Sequence, residues 1–77
     1  MEIGKLICKR LQHNVGGTVV ELEGRKCKVE TEEISIVVEP DGTAKLEPKK
    51  APEYEILRKY TNELRKVYLD LKLMREK

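Results

Sequence analysis

The sequence predicts one α+β domain: an antiparallel four-stranded β-meander over about residues 18–47, covered on one face by a long C-terminal helix over about 52–76, with an N-terminal helix over about 2–13. Three observations predict it. Four short runs alternate apolar and polar residues with period two. Turn residues separate those runs. A stripe of apolar residues at helical spacing then follows a proline-rich joint.

At the N-terminus, Ile3, Leu6, Ile7 and Leu11 fall on one helical face, and Lys9, Arg10 and His13 lie in the last turns, where cations suit the helix dipole. Asn14-Val15-Gly16-Gly17 supplies a stop. The rival reading is a fifth strand, which would put Lys5 and Lys9 on the same face as Ile3, Ile7 and Leu11.

In the first strand, Thr18–Glu23, the alternation places Val20 and Leu22 on the core face. Cys27 and Val29 do so in Lys26–Thr31, Ile34, Ile36 and Val38 in Ile34–Glu39, and Ala44 and Leu46 in Thr43–Glu47. Gly24-Arg25 reads as a two-residue hairpin turn of type II′, with glycine at the first central position. Glu32-Glu33 closes the second hairpin and Pro40-Asp41-Gly42 the third. A sheet apolar on one face and charged on the other is covered on one side only.

Glu47-Pro48-Lys49-Lys50-Ala51-Pro52, with its two prolines, is a stiff joint, with Pro52 suited to the first helical position and Glu53 and Glu55 to the positive end of the helix dipole. Leu57, Tyr60, Leu64, Val67, Leu71 and Met74 are then spaced 3, 4, 3, 4, 3, an a/d pattern whose main use is to cover the sheet. A helix of this length spans about 37 Å, against ~17–20 Å for a strand of five or six residues, so it overhangs.

The overhang carries the first functional expectation. Leu69 and Leu73 lie on the outer face, so Val67, Leu69, Leu71, Leu73 and Met74 make the helix end apolar nearly all round, and the sheet alone cannot bury it. This predicts a non-enzymatic interaction or structural module that self-associates through that end as a homodimer, or docks a partner protein there. The N-terminal helix packing over Leu69 and Leu73 is the milder alternative. The second expectation is an accessory nucleic-acid-binding protein, using the basic stripe Arg58, Lys59, Arg65, Lys66 and Lys72. Against it, no tryptophan or phenylalanine offers a base-stacking platform.

Composition bounds the rest. Seventy-seven residues make a single domain with a small core. Sixteen basic against fourteen acidic residues leave a net charge of only +2, no strong pull toward nucleic acid. Abundant Glu, Lys and Arg with scarce Gln and Asn resemble a thermophile's composition. With no apolar leader and no apolar run near the ~20 residues of a membrane span, a cytoplasmic protein is expected.

Cys8 and Cys27, without a cysteine-rich framework, read as free buried thiols, with a single bridge between them as the alternative. Cys8, His13 and Cys27 match no zinc spacing, and the lone histidine lacks an orienting carboxylate for nucleophilic catalysis. Asn14–Gly17 lacks the P-loop lysine, and the carboxylates form no calcium loop. No catalytic residue, cofactor or metal is therefore expected.

Overall fold

The computed structural model describes residues 3–75, with side chains described through Leu73. The chain runs α1 (Ile3–Val15), β1 (Thr18–Glu21), β2 (Cys27–Glu30), β3 (Ile34–Val38), β4 (Ala44–Pro48) and α2 (Glu53–Arg75). The four strands form one antiparallel sheet in the order β1-β2-β3-β4. Residues 3–15 are helix and not a fifth strand, so the sheet stays open.

Both helices lie on the same face of the sheet. α1 begins against the β3–β4 turn, where Gly4 meets Glu39 and Pro40, and ends where Gly17 packs on Glu30 and Thr31. α2 runs the opposite way, passing Glu33 with Tyr60 and Gly42 with Tyr68. Ile7, Leu11, Cys27, Val29, Ile34, Ile36 and Val38 form the centre of the core with Ile56, Tyr60, Leu64, Val67 and Leu71 of α2. α1 shares the cover of the sheet with α2, because a four-stranded sheet is wide enough for two helices.

The second and third hairpins follow the sequence reading. Thr31 N donates to the Ile34 carbonyl across Glu32-Glu33, and the Thr31 hydroxyl accepts from the amides of Glu33 and Ile34. Pro40-Asp41-Gly42 closes between Glu39 and Thr43, with Gly42 at φ 99° and the Asp41 carboxylate accepting from Thr43 N.

The first hairpin differs. Leu22 N donates to the Lys26 carbonyl, so three residues, Glu23-Gly24-Arg25, form the loop, with Gly24 and Arg25 both at positive φ. A two-residue turn at Gly24-Arg25 would have set Val20 opposite Val29. The added loop residue sets Val19 there instead. A slip of one residue turns every side chain over. Val19 and Glu21 therefore face the helices, whereas Val20 and Leu22, expected in the core, are each 37% exposed. Beside Cys27 the inward position holds Glu21, whose carboxylate lies 3.5 Å from the Lys5 ammonium of α1.

Three further expectations are corrected. Cys8 and Cys27 are not free thiols: they form a disulfide joining α1 to β2, with Cα atoms 6.6 Å apart, because the register of β2 brings Cys27 under the inner face of α1. The buried stripe of α2 starts at Ile56, 5% exposed, while Leu57 is only half-buried. Pro52 precedes the helix, its carbonyl accepting from Ile56 N.

Candidate contact surface

α2 is pinned to the sheet at two levels. The Tyr60 hydroxyl donates to Glu33 Oε1 at 3.0 Å, and Lys59 Nζ reaches the same oxygen at 3.2 Å. These two donors, Tyr60 first, hold the Glu33 carboxyl below its usual range, and Glu33 in turn raises the Lys59 ammonium. At the other end the Tyr68 hydroxyl donates to the Gly42 carbonyl at 2.7 Å. Partial burial, then the nearby Asp41 charge, pushes this phenol up.

Beyond Tyr68 the helix continues for two more turns, about 10 Å at its ordinary rise. The molecule is 40 Å long against 27 and 18 Å across, an elongation that a helix longer than its strands accounts for. The residues expected to form an all-round apolar end divide here. Val67 is 0% and Leu71 5% exposed, because α1 and the sheet cover that side within the chain, so these two belong to the core. Leu69 and Leu73 point away at 60% and 63% exposure, and α1 does not pack over them. The side chain of Met74 lies outside the described residues. Of the expected interface residues, the exposed ones among the described side chains are Leu69 and Leu73, one turn apart, beside the partly exposed ring of Tyr68.

The basic stripe is also divided. Lys59 is held by Glu33, and Lys66 lies 3.1 Å from Glu63. Arg58 and Arg65 line a shallow depression with Tyr54, Leu57, Thr61 and Asn62, and Lys72 is exposed farther along. Glu63 and Asp70 are interleaved with these cations on α2, so the face presents mixed charge.

A second concavity was not signalled by any sequence motif. A groove of about 480 Å³ runs between α1 and β1, lined by Lys5, Leu6, Lys9, Gln12, Val19 and Glu21 together with the disulfide-bonded Cys8 and Cys27. It depends on the register of β1, which periodicity alone misplaced. Among the described residues no three His, Cys, Asp or Glu side chains converge to hold a metal, and no helix is long and apolar enough to cross a membrane.

Compared with protein-family models, curated proteins and solved structures, the chain matches none of them.

Proposed function

We propose that this protein is a small non-enzymatic interaction module whose contact element is the projecting end of α2, with a second copy of the chain as its simplest partner. The observation that carries the reading is the outward pair Leu69 and Leu73, more than half exposed on a helix whose other face is fully used by the core. Removing such a leucine pair from water contributes about 25 cal/mol per Å² of apolar area. That is enough to favour association when the surrounding polar side chains fit, but not enough to drive it alone.

The reading is for a binding module because the grooves present lysines, one of them paired with Glu21, exposed arginines and a closed disulfide. An intracellular location goes with it. The charge-dense composition is of the kind found in thermophiles, among whose intracellular proteins disulfides are common. Nucleic-acid binding through the basic face of α2 is the second reading, and two of its five cations, Lys59 and Lys66, lie against carboxylates, which weighs against it.

Sedimentation of the L69E/L73E variant tests the proposal. Both positions are exposed, so circular dichroism should match the wild type while association through α2 is lost and the sedimentation coefficient falls. A double variant that associates as tightly as the wild type would remove this surface from consideration.

A further inference from the structure

The two edges of the sheet are not alike. In β4 the residues bonded toward β3 are Thr43, Lys45, Glu47 and Lys49, as the Glu39–Thr43 and Lys49–Glu33 backbone bonds fix. Ala44, Leu46 and Pro48 therefore turn their backbones to the free edge, and Pro48 has no N–H to offer. That edge is blunted, and α2 packs beside it.

β1 has no proline at its free edge. Leu22 N donates toward β2, so Thr18 and Val20 also direct their backbones inward, and Val19 and Glu21 direct theirs outward. The strand Thr-Val-Val-Glu is short and carries one inward charge, Glu21, which Lys5 partners, but it contains no proline, lysine or bulge to keep its backbone from pairing. Its exposed face presents Val20 and Leu22, and its inner face opens on the groove under α1.

We propose that β1 pairs antiparallel with β1 of a second copy, joining two four-stranded sheets into one of eight strands. The chemistry of the edge selects the register. Outward backbones must meet outward backbones, and opposite residues must share a face. Pairing Val19 with Glu21 of the second copy satisfies both conditions and places Val20 on the dyad, facing its own copy. The register centred on Val19 also matches faces, but it would need Gly17 to pair, and Gly17 is at φ 91°, outside strand geometry. The Val20-centred register makes two reciprocal hydrogen-bonded pairs. It sets Leu22 against Thr18 of the second copy and covers the exposed Val20 side chains with each other.

Charge complementarity commits the edge to a second copy. In this register Glu21 of each chain arrives beside Val19 of the other, at the part of the groove that Lys9 and Gln12 line. Within its own chain Glu21 already faces Lys5. The carboxylate thus lies between Lys5 of its own α1 and Lys9 of the other, and the dyad repeats the arrangement. This surface is separate from Leu69 and Leu73, so the inference does not depend on the α2 reading, and one set of variants tells the two apart.

The test uses the whole chain in analytical ultracentrifugation and amide hydrogen exchange over a range of concentrations. The wild type should dimerise, with the Val19 and Glu21 amides slowing by about tenfold or more as dimer forms. Val20→Lys sets two ammonium groups against each other on the dyad and should abolish the concentration-dependent slowing of the Val19 and Glu21 amides with unchanged circular dichroism, and combined with L69E/L73E it should give monomer. Val20→Thr should remain dimeric, and so should L69E/L73E. A monomeric wild type would overturn the proposal. So would a Val20→Lys variant whose Val19 and Glu21 amides slow with concentration as in the wild type, or a wild-type dimer whose Val19 and Glu21 amides exchange at the same rate at every concentration.

Discussion

Gly4 lies with its Cα against the carbonyl of Glu39, so that α1 rests directly on the backbone of the β3–β4 turn. In an exposed helix interior, replacing glycine by alanine stabilises by roughly 0.5–1 kcal/mol. Here the sign should reverse, because an added methyl group would meet the Glu39 carbonyl and the Pro40 Cα, both backbone atoms with little freedom to retreat. Gly4→Ala should therefore destabilise by about 1–3 kcal/mol in urea unfolding. A more stable variant would show that α1 does not sit this close to the turn.

The Cys8–Cys27 bridge spans 19 positions of sequence and ties the middle of α1 to the start of β2. In the chain-entropy account, closing a loop of that size stabilises by about 3 kcal/mol. Cys8→Ser/Cys27→Ser should unfold at a correspondingly lower denaturant concentration, and wild type under strong reductant should shift in the same direction. A domain of this size has a small core, so the loss is a large part of its stability. Equal midpoints for oxidised and reduced protein would mean the bridge adds nothing.

Glu33 links stability to pH. Its carboxyl is held below the usual range by the Tyr60 hydroxyl and then by Lys59. Glu30 is likewise lowered, first by its hydrogen bond to Lys49 and then by Lys28. Groups lowered in the folded state contribute stability that is complete above the ordinary carboxylate range and disappears as pH falls through their lowered values. Thermal midpoints should therefore decline on the acid side of that range. Tyr60→Phe removes the largest of the causes acting on Glu33, so its acid decline should be shallower and the Glu33 titration, followed by NMR, should move up. An unchanged Glu33 titration would break the proposed link to Tyr60.

Much of the architecture depends only on local chemistry. The alternation in Ile34–Val38 places Ile34, Ile36 and Val38 inside whatever covers them, and Pro40-Asp41-Gly42 turns back because its residues suit that backbone. The 3.6-residue period of α2 likewise leaves Leu69 and Leu73 opposite the core stripe, so their exposure is legible from spacing. Three matters belonged to the tertiary structure. The loop at Glu23-Gly24-Arg25 holds three residues and not two, and that single residue inverts β1, so the groove and the bare β1 edge could not be read from periodicity. The disulfide follows from where the β2 register carries Cys27 beneath α1, a distance that sequence spacing does not encode. Whether Val67 and Leu71 are free for a partner depends on where α1 lies, and only its packing beside α2 assigns them to the core. The sequence by itself determined which residues are apolar on each element and where most turns fall, because these obey rules reaching over a few residues. Only the assembled structure decided which apolar residues stay exposed, because that depends on how elements distant in sequence cover one another.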